Sequence, residues 1–176
     1  MKLKTRDIVY IGFIAALCAV ATTIRIEIPG GAMVHLGSAA LFTTSILFGG
    51  LYGGLGAAIG SALFDLFGGH TQYIVFSFFI KGIAGLIVGG GLTAGYLPPS
   101  INKPTASFGR ILVALIIGAI WTAFGYFLAW WFVLESAVVA ASKIQYSLIT
   151  SAAGIVVAIV LTPKLQTVVR RLFTKN

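Results

Sequence analysis

The chain has 176 residues, 59% hydrophobic and only 9% charged, with a mean hydropathy of +1.03. These values exclude a water-soluble domain and place it among polytopic membrane proteins. The net charge of +8 does not point to nucleic acid, since the basic residues form no continuous stripe and no RNA- or DNA-binding motif is present; a single cysteine, Cys18, excludes an intrachain disulfide.

Residues 1–7 are basic and lead into a charge-free run over residues 8–24. No small-residue cleavage site followed by polar sequence interrupts it, so it is kept as the first span rather than as a signal peptide. At about 1.5 Å per residue it reaches roughly 25 Å, enough to cross a hydrocarbon core with some thinning. Arg25, Glu27, Pro29, Gly30 and Gly31 then predict a loop. Residues 36–64 carry no charge and would extend about 44 Å as one helix, too long for one crossing. Gly49-Gly50 therefore predicts a break, with a short helix two over 36–48 and helix three over 51–67. The spacing Gly56-x-x-x-Gly60 allows another backbone to approach closely. Helix four is expected over 72–96, stopped by Pro98-Pro99. Helix five is expected over 110–134, and helix six over 144–161, ending before Pro163.

The expected fold is an all-α integral membrane protein, one compact bundle of six transmembrane helices with no detached domain. Six spans place Lys2, Lys4, Arg6, Lys103, Arg110, Lys164, Arg170, Arg171 and Lys175 on one side. The positive-inside rule makes that side, and both termini, cytoplasmic. Glu27, Asp65 and Glu135 then lie at or near the outer face.

Lys81 falls about nine residues into helix four, roughly 13 Å below the outer boundary, where a charge is costly and marks a functional site. Asp65 lies one turn from the outer end of helix three, and a lysine can reach it. Two readings stand open: a structural ion pair pinning helix three to helix four, or a pair that also binds a polar ligand. Tyr73, Phe76, Tyr126, Trp130, Trp131 and Tyr146 add aromatic rings on the outer halves of helices four to six, either as interface anchors or as walls for a flat heteroaromatic ligand. Glu135, Gln145, Ser147 and His35 would orient such a ligand. His70 is assigned no role. The chain carries no Ser/His/Asp set, no Gly-x-Ser-x-Gly elbow, no His-Glu-x-x-His and no P-loop, and too few acids and histidines for a metal site. The expectation is a non-enzyme without cofactor or metal. Ala15-x-x-x-Ala19 puts two small side chains one turn apart, with Gly12 near the same stripe, for contact with a partner helix or with the chain's own neighbours.

Gly30-Gly-Ala-Met-Val-His35-Leu-Gly37, Leu47-Phe-Gly-Gly-Leu-Tyr52-Gly, Gly60-Ser-Ala-Leu-Phe-Asp65-Leu and Ile80-Lys81-Gly, in that order and spacing, resemble the substrate-binding S components of energy-coupling factor (ECF) vitamin transporters. The resemblance is to the riboflavin-type subgroup, which includes hydroxymethylpyrimidine and pyridoxine S components. It implies a multi-pass protein of the bacterial cell membrane that binds a vitamin in an outward pocket and docks on a membrane scaffold subunit (T component) driven by two cytoplasmic ATPases. Carried onto this chain, it makes Ala15 and Ala19 docking contacts, and His35, Tyr73, Lys81, Glu135 and Gln145 pocket residues. The chain departs at Ser38, where many relatives carry an acid, so substrate identity does not transfer with the motif. Hydroxymethylpyrimidine or pyridoxine is the expected substrate, with riboflavin behind. A stand-alone ion-coupled carrier is the other class, disfavoured by the missing inverted repeat and the few acids.

Overall fold

The computed structural model describes residues 4–28, 32–93, 95 and 106–174. Among them are six α-helices and one two-stranded ribbon: α1 (Thr5–Thr23), β1 (Arg25–Ile28), β2 (Ala32–His35), α2 (Gly37–Phe48), α3 (Gly50–Phe67), α4 (Ile74–Gly89, preceded by a 3-10 turn at Thr71–Tyr73), α5 (Phe108–Leu134) and α6 (Ala137–Thr174). All but α2 are long and apolar enough to cross a membrane. The outward-facing side chains are as oily as the interior, with Phe67, Phe132 and Val138 at 83%, 76% and 82% exposure. Such a surface is compatible with lipid and not with water.

α2 is the central element. It has only 12 residues, yet nearly all of them are buried, Phe42 and Ser38 completely. A helix wrapped by protein need not match the hydrocarbon thickness, because its end groups meet other helices rather than lipid. The break at Gly49 is where the glycine pair predicts it. Gly49 has φ +88°, a left-handed value that only glycine adopts without strain, and its N–H bonds Ser45 C=O at 3.0 Å.

The glycines of α3 are consumed on two sides. A Cβ on Gly85 of α4 would strike the Gly54 Cα of α3, and one on Gly54 would stand 2.7 Å from Gly82 C=O. On the other side, a Cβ on Gly56 would collide with Ile14 and one on Gly60 with Ala15 C=O, both in α1. Gly56-x-x-x-Gly60 thus receives α1, while Gly53, Gly54, Gly85 and Gly89 bring α2, α3 and α4 into backbone contact. Trp121 Nε1–H donates to Ile80 C=O at 3.1 Å and ties α5 to α4.

Three boundaries differ from the sequence expectation. Helix four stops at Gly89 instead of continuing toward Tyr96, because three successive glycines favour a turn in which Gly95 N–H bonds Gly90 C=O at 2.9 Å; Tyr96, Pro98-Pro99 and Lys103 lie outside the described residues. Helix six begins at Ala137 instead of 144, since Ser136 caps it through Ala140 N–H to its C=O at 3.0 Å and Val139 N–H to its Oγ at 3.4 Å. It also runs through Pro163, which removes one ladder bond without ending a long helix. The loop expected at 135–143 therefore shrinks to Glu135, left-handed at φ +54°, and Ser136. The loop expected after helix one is an antiparallel ribbon pairing Arg25 with His35 and Glu27 with Met33.

Gly85→Val should lower stability by roughly 1–3 kcal/mol, because the atoms it meets are backbone and cannot rotate away. Gly12→Ala, where no atom lies within 4 Å of the added Cβ, should leave the detergent melting midpoint equal or higher, since alanine favours the helix. Equal midpoints for both variants would refute the close-packing account.

Candidate functional site

A pocket opens beneath the β1–β2 ribbon, at the end of the bundle opposite the α1 N-terminus. With its open mouth included it spans about 740 Å³. Every helix contributes to it: Thr22 from α1, Ser38 from α2, Ser61, Phe64 and Asp65 from α3, Tyr73, Ser77 and Lys81 from the 3-10 turn and α4, Thr122, Tyr126 and Trp130 from α5, and Ser147 and Thr150 from α6. Met33, His35 and His70 complete the wall from the ribbon and the α3–α4 turn.

Lys81 is the deepest charge, 3% exposed. Its Nζ donates to Ser38 Oγ at 3.2 Å and stands 5.3 Å from the centre of the Tyr126 ring. Among the described residues no carboxylate comes within ion-pairing distance of it, so the expected Asp65–Lys81 ion pair is not closed. The tether to Ser38 holds the ammonium toward α2, while Asp65 keeps to α3, its Oδ2 buried without a hydrogen-bond partner. Both side chains nevertheless line the same cavity. Tyr126 OH and Ser77 Oγ are 3.1 Å apart and hydrogen-bonded, and the Tyr126 and Trp130 rings lie 5.6 Å apart, forming an aromatic wall on α5.

His35 Nδ1 accepts the Gly37 N–H at 3.0 Å, which assigns the proton of the neutral imidazole to Nε2. Burial, reinforced by the positive charges of Lys81 and Arg25, pushes its pKa from the ordinary 6.5 down to about 3. At the rim, Arg25 pairs with Glu27 at 2.7 Å and lies 5.1 Å from the Phe64 ring centre, latching the ribbon onto α3.

Of the residues expected to bind ligand, the structure brings His35, Tyr73, Lys81, Tyr126 and Trp130 to the pocket. It does not bring Phe76, Glu135 or Gln145. Phe76 packs on Phe132 with ring centres 5.6 Å apart, Glu135 occupies the α5–α6 turn, and Gln145 is exposed, about 200° round the helix from the pocket-lining Ser147. Of the hydroxyl wall only Ser147 is expected from the sequence as a ligand contact, and His70 is assigned no role there. In an apolar helix a Ser or Thr reads as bonding its own backbone, as Thr22 does to Cys18 C=O at 2.7 Å and Thr122 to Gly118 C=O at 2.8 Å. That very bond leaves the oxygen lone pairs free to accept from a ligand. Among the described residues no group of acids, histidines and cysteines could hold a metal.

An oily bundle that gathers polar and aromatic groups from all its helices around one small cavity defines a small-molecule-binding membrane protein. The family model of the ECF-type riboflavin transporter S component matches residues 2–167. The chain belongs to that family and is a multi-pass membrane protein of a transporter. It is 32% identical over 112 residues to a Pyrococcus woesei protein described as an uncharacterized protein in a gap 3' region, covering 63% of this chain and 68% of that one. A solved S component of a bacterial ECF transporter shares its fold, with a TM-score of 0.70 at 17% identity over 94% of this chain and 98% of that one.

The His35 proton sets a pH dependence. The unfolded chain takes it up below 6.5 and the folded chain only near 3, so the stabilisation is complete above about pH 7 and declines as pH falls through the unfolded value. The melting midpoint of the detergent-purified protein should drop between about pH 7 and 5, and His35→Gln should reduce that drop. An unchanged acid slope in the variant would exclude a buried neutral His35.

Proposed function

We propose that this chain is the substrate-binding subunit of an ATP-driven ECF importer and captures a small heteroaromatic vitamin or precursor, hydroxymethylpyrimidine or pyridoxine, in the pocket under the ribbon. The observation that carries this reading is a buried lysine that meets no carboxylate within ion-pairing distance among the described residues, set against the ring of Tyr126. A buried ammonium left with a single protein hydrogen bond is costly, and a ligand acceptor offsets that cost. The aromatic wall of Tyr126 and Trp130 suits a flat ring, and the hydroxyls orient its edges. Riboflavin is the second reading, favoured by the description of the matching family.

In this reading both termini are cytoplasmic, the pocket faces outward, and the partners are a T-component scaffold and two cytoplasmic ATPases. Docking through α1 changes in detail from the sequence expectation. Ala15 is 3% exposed, spent against Gly60 of α3, and is not free for a partner. Ala19 is half-buried, whereas Gly12 and Ala16 are exposed, so the small-residue face turned to the scaffold runs through Gly12, Ala16 and Ala19.

Vesicles holding the chain with scaffold and ATPases should accumulate the vitamin on ATP addition, and vesicles holding the chain alone should bind it without accumulation. Ala16→Leu should abolish uptake and scaffold association while leaving ligand affinity intact. Lys81→Met, folded by its elution profile, should bind at least about tenfold more weakly. Concentrative uptake by the chain alone under an ion gradient would establish the carrier reading instead.

A further inference from the structure

Resting on the reading of this pocket as the substrate site, we propose that it selects an uncharged or zwitterionic ring compound that bridges Asp65 and Lys81, and that it rejects the phosphate ester of the same compound. The ligand presents an N–H or O–H donor to the carboxylate and an acceptor to the ammonium.

Two unfinished polar groups define the two ends of this bridge. Lys81 is 3% exposed and spends one of its donors on Ser38. Asp65 is 7% exposed and its Oδ2 has no partner. Each would be satisfied by direct pairing, yet each is anchored to a different helix and the pair stays open. A ligand that only accepts would complete Lys81 and strand Asp65, leaving a buried carboxylate oxygen unbonded. One that only donates would do the reverse. A ring with a donor edge and an acceptor edge completes both. The Asp65 end carries a further unpartnered group, the buried Nε2 of His70, whose backbone N–H bonds Asp65 C=O at 2.8 Å.

The charge balance supplies the rejection. Lys81 and Asp65 contribute opposite charges, the half-buried His35 is neutral with its Nδ1 accepting the Gly37 N–H, and most of the remaining wall is hydroxyls and rings. No arginine lines the cavity among the described residues, and Arg25 at its rim is engaged by Glu27 and Phe64. A phosphate dianion seated here meets one ammonium, the like-charged Asp65 carboxylate and, among the described residues, no guanidinium fork. Specificity built from such an opposing charge acts against the wrong ligand rather than for the right one.

The test is a titration of the full chain in detergent, followed by tryptophan fluorescence. The probes are 4-amino-5-hydroxymethyl-2-methylpyrimidine, pyridoxine and riboflavin, each beside its phosphate ester. The expected result is that one free compound binds and its ester binds at least about a hundredfold more weakly. Asp65→Asn should weaken the free compound by about tenfold or more and narrow the ester ratio, the carboxylate being the source of both effects. Elution at the wild-type volume controls for folding, and the wild-type ester ratio needs no variant. An ester that binds as tightly as its alcohol, or an Asp65→Asn ratio equal to wild type, overturns this proposal and leaves the vitamin reading standing. Silence toward every probe overturns both.

Discussion

The arrangement of this protein depends on how closely α3 and α4 approach. With Gly54 and Gly85 backbone to backbone, the two helices pack as a single layer. Asp65 stands near the ribbon end of α3 and Lys81 at mid-depth on α4, so their relative height follows from the register of that contact. Any side chain larger than hydrogen at the crossing would part the helices and move both charges. The glycine cost in helix propensity is tolerable because neighbouring helices, not local propensity, hold a membrane helix in place.

Around that layer the remaining elements divide their labour. α1 lies along the second glycine face of α3, and α2 is driven into the centre, where Ser38 meets Lys81. α5 brings the aromatic wall and is held in register by Trp121 bonding the carbonyl of Ile80, one residue before the lysine. α6 closes the pocket with hydroxyls, and a Cβ on Gly154 would stand 2.9 Å from Ser38. Lys81 is thus surrounded by contributions from several helices, each anchored by a contact that does not itself involve charge.

The sequence made much of this legible. Hydropathy and the Gly49-Gly50 pair gave six helices, because those signals are local and strong. Lys81 stood out because a charge deep in an apolar run has few explanations. The start of α6 was hidden, since Ser142 and Lys143 look like a loop until Ser136 is seen to cap a helix and Lys143 proves buried. Glu135 and Gln145 stay off the cavity for local reasons: Glu135 sits in the α5–α6 turn, and Gln145 lies about 200° round the helix from Ser147, which takes the pocket face. The open Asp65–Lys81 pair was not legible either, because it turns on a third residue, Ser38, which is distant in the chain. Seryl and threonyl side chains carry no signal of their own in an apolar helix, so the hydroxyl wall emerges only from the packing.

The enclosure of α2 has an evolutionary corollary. On the outer faces of α5 and α6, Phe132 and Val138 are largely exposed, and in a lipid environment many oily side chains serve there. In α2 the limit is volume, since Phe42 and Leu41 fill space already claimed from all sides. Drift among relatives should therefore be free in identity but bound in greasiness along the rim helices, and bound in size along the shortest helix, where Ser38 is also bound in chemistry by its hydrogen bond to Lys81.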